Sequence, residues 1–209
     1  MQKGENMKKT LTTLAKISVI TLCLLGTSAR ADFMEHYNMG QSYAAQYQYP
    51  SAIEEFKSAL RINYMDNSAR IGLINAYLAL GTDRANKDKN WNKAADDFRS
   101  ALFYLKYYPG QSTASNSAGV ITQTENNLET CLENAGYDFS SQNRYNTAKR
   151  LRAEGNFPAA AYEFMQALGS KDLQKSSFEQ VAEIMKILGN TPKSAEYYKK
   201  AIALKIFPN

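Results

Sequence analysis

Phe157-Pro158-Ala159-Ala160, followed by Phe164 and Ala167, returns as Thr191-Pro192-Lys193-Ser194, followed by Tyr198 and Ala201. Phe164 and Tyr198 are 34 residues apart, as are Ala167 and Ala201. A fixed period of that size denotes a helical hairpin copied along the chain, because one hairpin buries its apolar stripe only by stacking on a neighbour.

The same pattern can be laid over the N-terminal part, where Tyr49-Pro50-Ser51-Ala52 precedes Phe56 and Ala59, with Met39-Gly40 and Tyr43 upstream. Gly40, Ala52 and Ala59 fall where two antiparallel helix backbones approach, and Tyr43 and Phe56 fill the gaps beside them. A second unit runs from Asn67, with Leu73 and Tyr77 in the equivalent places and Ile74 where the small residue is expected. Its second helix arrives eight residues late, as Trp91-Asn92-Lys93-Ala94, Phe98 and Ala101, because Phe56 and Phe98 are 42 residues apart. The extra segment, Gly81 to Asn90, is polar and predicts a solvated loop or an extra helical turn at the hairpin tip. Trp91 aligns with Tyr49 and Phe157 and is expected to pack. Units three and four begin near Ser141 and Lys175. Gly155-Asn156 and Gly189-Asn190 suit the left-handed backbone at the end of a first helix. Pro50, Pro158 and Pro192 share one register position, in the first turn of a second helix, where a missing N–H is harmless.

Between units two and three the pattern breaks. Tyr108 to Ala118 reads as a loop rich in Pro, Gly, Ser and Asn, and Val120, Ile121, Thr124, Leu128, Cys131, Leu132 and Ala135 then follow a helical stripe. Residues 109–140 predict a solitary helix bridging two pairs of hairpins, or else a flexible boundary between two short arrays.

Residues 1–31 read as an export signal. Lys8, Lys9 and Lys16 form a basic start, Ile17 to Leu25 is an apolar run too short for a stable membrane anchor, and Ala29-Arg30-Ala31 is a small-x-small cleavage site that leaves Asp32 first. Met7 is an alternative start to Met1. Cys23 follows Leu22 inside the apolar run, a position unsuited to lipidation. No other stretch approaches the roughly 20 apolar residues of a membrane helix. The first 31 residues carry five Lys/Arg against one acidic group, so +4 of the total +5 leaves with them. What remains is 20 basic against 19 acidic residues, which gives no basic footprint for nucleic acid. Residues 32–140 hold nine basic and 13 acidic groups, and 141–209 hold 11 and six. That asymmetry either steers a partner or belongs to solvated helix faces. Cys131 is then the one cysteine left, unable to form an internal disulfide, and reads as a small core residue.

No catalytic constellation is present in the sequence. The single histidine, His36, reads as a packing or surface residue, and one Cys with one His makes no zinc ligand set. There is no phosphate-binding glycine loop, nucleophile elbow or calcium loop. Glu54-Glu55 and Asp96-Asp97 are adjacent on second helices and are expected to point to solvent. No enzymatic activity, cofactor or metal is therefore expected.

The landmarks resemble those of the tetratricopeptide repeat. In a unit numbered from Phe33, Met39-Gly40, Tyr43, Ala52, Phe56 and Ala59 occupy positions 7, 8, 11, 20, 24 and 27, where that family carries Leu-Gly, Tyr, Ala, an aromatic and Ala. The resemblance implies an all-α solenoid of about four hairpins with one intervening helix: repeats one and two over 32–108 with the insertion at 81–90, a loop and bridging helix over 109–140, and repeats three and four over 141–209. It also implies that first helices line a concave groove. The residues that map there include Tyr37, Gln41 and Ala44 of unit one, Ile71, Asn75 and Ala79 of unit two, Tyr145, Lys149 and Arg152 of unit three, and Glu183 of unit four. The N-terminal part of this set is neutral and suits an extended peptide backbone, and Lys149 with Arg152 forms a positive spot for a carboxylate. Of the family's carboxylate-clamp set only Asn75 has a counterpart, so that binding mode is not expected.

The expected function is an exported, non-enzymatic scaffold or adaptor, periplasmic or secreted, that binds a protein or peptide in envelope assembly, secretion or cell-wall processes. Two other readings stay open. The apolar C-terminal residues Ile202, Leu204, Ile206 and Phe207 allow a self-assembling structural protein, or a chain that is the repeat part of a longer one. Specificity beyond the groove is expected at the two interruptions, 81–90 and 108–140.

Overall fold

In a computed structural model that describes residues 29–108 and 114–204, α-helices follow one another and no strand occurs among those residues. Helix α1 covers 29–45 and α2 Tyr49–Ile62, α3 covers Asn67–Asn86 and α4 Trp91–Lys106, and α5 covers Ala114–Asn134. Then come α6, Ser141–Ala153, with α7, Phe157–Gln166, and α8, Lys171–Ile187, with α9, Thr191–Ala203; a 3-10 turn at Ala167–Gly169 follows α7. The expected signal segment up to residue 28, and Ile206 and Phe207 of the expected apolar end, lie outside the described residues. Ala29, Arg30 and Ala31 are exposed helical residues of α1.

All four hairpin tips use the same backbone solution. Tyr47, Lys89, Gly155 and Gly189 have φ of 59°, 53°, 79° and 80°, and each occupies one register position once the eight-residue insertion is allowed for. The next residue's N–H then reaches back over the helix end: Gln48 to the Tyr43 carbonyl at 2.9 Å, Asn156 to Leu151 at 2.9 Å, Asn190 to Met185 at 2.8 Å and Asn90 to Arg84 at 2.9 Å. These bonds satisfy carbonyls that a helix end leaves without partners. Proline sits in the first turn of α2, α7 and α9. The Asn90 and Asn190 side chains cap α4 and α9 by accepting from the N–H of Lys93 and Lys193, at 3.3 and 3.2 Å.

Aromatic rings and alanines at the period of the sequence meet in the core. Phe56, Phe98 and Phe164 are buried together with Ala52, Ala59, Ala94, Ala101, Ala160 and Ala167. Phe56 is held between two glycines, since a Cβ on Gly40 would stand 2.8 Å from its ring and one on Gly72 2.6 Å. The insertion is mainly helix rather than loop, because α3 runs on to Asn86 and buries Gly81 and Ala85. A Cβ on Gly81 would come within 3.0 Å of Phe98, so the small residue opposite that ring is Gly81 and not the residue at the Ile74 position. The solvent expectation for Asp96-Asp97 fails for the same reason. Asp97 is buried on the extended α3, accepting from Arg84 Nη1 at 2.7 and 2.8 Å, and Asp96 pairs with Arg99 at 2.8 Å.

Within each half the helices pack in chain order, α2 on α3 on α4 and α6 on α7 on α8 on α9. The halves meet differently, through α4 on α7, the second helices of units two and three. Helix α5 packs on α4, burying Thr124, Leu128, Cys131 and Leu132, and does not stand between the two pairs. The loop before it is shorter than expected, since helix resumes at Ala114 and Tyr108 is buried against Phe103 and Tyr104. At the α4–α7 contact the fully buried Glu163 carboxylate accepts from Arg99 Nε at 2.6 Å, from the Tyr137 hydroxyl at 3.2 Å and from Arg144 Nη1 at 3.3 Å. A buried charge is tolerable only when it is paired and hydrogen-bonded in this way.

Candidate interaction groove

Small residues on facing helices leave a gap where larger ones would close it. Between α1 and α3 such a gap forms a hollow of about 430 Å³, floored by Phe56 and closed at one end by Tyr49 of α2. Its walls are Gln41 and Ala44 of α1 and Gly72, Asn75, Ala76 and Ala79 of α3. The Gln41 amide nitrogen donates to the Tyr37 hydroxyl at 2.8 Å, which leaves its carbonyl oxygen to accept from a ligand. Tyr37 in turn rests on Phe56, with ring centroids 6.1 Å apart. Asn75 is exposed with no hydrogen-bond partner among the described residues, and Ile71 is 49% exposed on the same helix.

The remaining expected residues form a separate place on α6 and α8. The Tyr145 hydroxyl bonds Ser176 and its ring packs on Phe164, with centroids 5.3 Å apart. Arg152 donates to Gln180 and, at 3.4 Å, to Glu183, which also accepts from the Tyr198 hydroxyl at 2.8 Å. Arg152 is thus committed within the protein, and the expected positive spot is reduced to Lys149, whose ammonium lies 5.9 Å from the Tyr145 ring centroid. Because α4 and α7 form the contact between the halves, α3 and α6 lie on either side of that pair. The ten expected residues therefore fall into two places, not one continuous groove.

A second hollow, of about 370 Å³, lies between α3 and α5 above α4, at the two interruptions where specificity beyond the groove is expected, though none of its residues is among the expected groove residues. Thr82 and Asn86 of α3, Trp91 and Phe98 of α4, and Gln123 and Asn127 of α5 line it. Thr82, Asn86, Gln123 and Asn127 come from the two interruptions of the repeat, which the register that located the first hollow passes over. The signal that could have found it is the pair Trp91 and Phe98, which repeats Tyr49 and Phe56 of the first hollow. The Thr82 and Thr130 hydroxyls donate to carbonyls of their own helices, at 2.8 and 2.9 Å. Lys89 covers one side of Trp91, 5.6 Å from the ring centroid. Cys131 sits at the base, and burial pushes its thiol up, away from a reactive thiolate.

Both hollows offer amides, aromatic edges and small apolar surface, the means to hold a chain. Among the described residues there is no group of three or more His, Cys, Asp or Glu placed to hold a metal ion. No helix among them is long and apolar enough to cross a membrane. No protein-family model and no curated protein matches the chain. Among solved structures it is similar to one described as "Crystal structure of MamA protein", at 14% identity over 83% of this chain and 92% of that one, with a TM-score of 0.32.

Proposed function

We propose that this chain is an exported, non-enzymatic adaptor of tetratricopeptide type that holds an extended protein segment in the hollow between α1 and α3. The observation that carries the reading is the lining of that hollow, where the amides of Gln41 on α1 and Asn75 on α3 stand among small apolar residues and Phe56. An extended segment brings unpaired N–H and C=O groups, and a primary amide both donates and accepts. Ala44, Ala76 and Ala79 leave room for its side chains. Export rests on Lys8-Lys9, the apolar run and Ala29-Arg30-Ala31, and it places the adaptor in a periplasm or outside the cell, in envelope assembly, secretion or cell-wall work. Ala44→Arg puts an unpaired charge into the hollow. In paired pull-downs from envelope extract, wild type is expected to retain a protein that the variant releases at an unchanged melting temperature. Equal retention by both would remove the reading.

A second reading, self-assembly, is favoured by Ile187, Ile202 and Leu204, which are 48%, 58% and 40% exposed at the C-terminal end. It predicts oligomers in sedimentation that grow with concentration at both low and high salt, and a strict monomer eliminates it.

A further inference from the structure

The two hollows are built alike on the two flanks of α3. Phe56 with Tyr49 floors one, and Phe98 with Trp91 floors the other. Asn75 and Ala79 of α3 belong to the first, and Thr82 and Asn86 of the same helix to the second. Helix α5 thereby plays toward α3 the part that α1 plays on the other side. The eight-residue insertion is what extends α3 far enough for this, so the two interruptions of the repeat together create one site.

We infer that the hollow between α3 and α5 is a second subsite for the segment held by the first, and that this segment is extended, uncharged, and carries two apolar side chains about five residues apart. The inference rests on the adaptor reading above. No charged residue lines either hollow, in a chain of which 22% is Asp, Glu, Lys or Arg. A charged partner side chain seated there would lose part of its water, and among the described residues the one counter-charge beside either floor is Lys89 at the Trp91 ring. Asn75, Asn86, Gln123 and Asn127 have no hydrogen-bond partner among the described residues, so four primary amides stand ready for backbone N–H and C=O groups. The apolar floors, Phe56 and Phe98, take the two side chains. Along α3 the lining residues of the second hollow lie about eight positions beyond those of the first, or ~12 Å, and one helix diameter of ~10 Å separates the flanks. The diagonal is ~15 Å, which an extended chain covers in about five residues.

The probe is a display library of random linear dodecapeptides panned on the whole chain, followed by calorimetry with the enriched peptide made synthetically. The expected sequences are depleted in Asp, Glu, Lys and Arg and carry two apolar positions about five apart. Gln123→Lys, an exposed substitution that places a charge at the second hollow, is expected to weaken the peptide about tenfold or more, as is Ala44→Arg in the first. Gln123→Asn, which keeps the amide, restores most of the binding. Full affinity for Gln123→Lys together with loss in Ala44→Arg would overturn the second subsite and leave the adaptor reading standing. Indifference to both substitutions would take that reading down as well. Enrichment of charged sequences would overturn the proposed chemistry, and self-association abolished by Gln123→Lys would seat a second copy there instead.

Discussion

Tyr47 and Lys89 hold left-handed backbone at hairpin tips where the third and fourth tips have glycine. A side chain in that region costs roughly 1–2 kcal/mol, which glycine avoids. Tyr47 is 78% exposed and contributes little beyond an edge contact with Tyr49, 6.3 Å between centroids. Tyr47→Gly is therefore expected to stabilise the chain by up to ~1 kcal/mol, after allowing for the greater freedom of glycine when unfolded, seen as a higher urea midpoint with unchanged slope. A lower midpoint would mean that the tyrosine ring matters more than its backbone. The glycines at 155 and 189 were readable as turns from their residue type alone. The same turns at 47 and 89 were not, since neither Tyr nor Lys advertises a positive φ.

Helix α3 owes its length to interactions at its far end. Arg84 grips Asp97 of α4, and Gly81 admits the Phe98 ring. Burial pushes the Asp97 carboxyl up to about 7 from 3.8, and Arg84 only partly opposes it. Between pH ~4 and ~7 the folded state then holds a proton that the unfolded chain has released, so stability falls as pH rises through that window and is level above it. Asp97→Asn removes the ionisation. Urea midpoints at pH 5 and pH 8 are expected to differ less in the variant than in wild type, and an identical pH dependence would show that Asp97 ionises normally. The polarity of 81–90 suggested solvent, and a helix that turns one face to α4 while the other stays polar is compatible with that composition. Composition alone could not choose between them, because Gly81 and Ala85 are too small to register as an apolar stripe.

The whole molecule depends on the contact of α4 with α7. Arg99 and Glu163 are 64 residues apart in the chain and are both almost completely buried. Glu163→Ala leaves the Arg99 guanidinium with Asp96 as its remaining ion-pair partner and is expected to cost about 3–5 kcal/mol. Replacing both, as Arg99→Met with Glu163→Leu, is expected to recover a substantial part of that loss, because the desolvation of the pair disappears with it. Chemical denaturation of the three proteins gives the comparison, and a double variant no better than Glu163→Ala would assign the loss to packing instead. This contact also determines the candidate site, because it sets α3 and α6 on either side of α4 and α7 and so divides the expected groove.

Helices, hairpin tips and buried rings followed from the residues because each is decided within about one repeat: a proline in a first turn, a glycine at a helix end, an alanine opposite a phenylalanine. Gln41 and Asn75 of the first hollow were within reach of the same register. The second hollow was not, since Asn86, Trp91 and Asn127 share no period and are brought together only when α3 and α5 both pack on α4. Local periodicity carries no information about which two helix faces meet across a break in the repeat. That choice was made by the packing of both α3 and α5 on α4, which buries Phe98, Leu128, Cys131 and Leu132, and it turned the irregular stretches at 81–90 and 114–134 into the walls of one hollow.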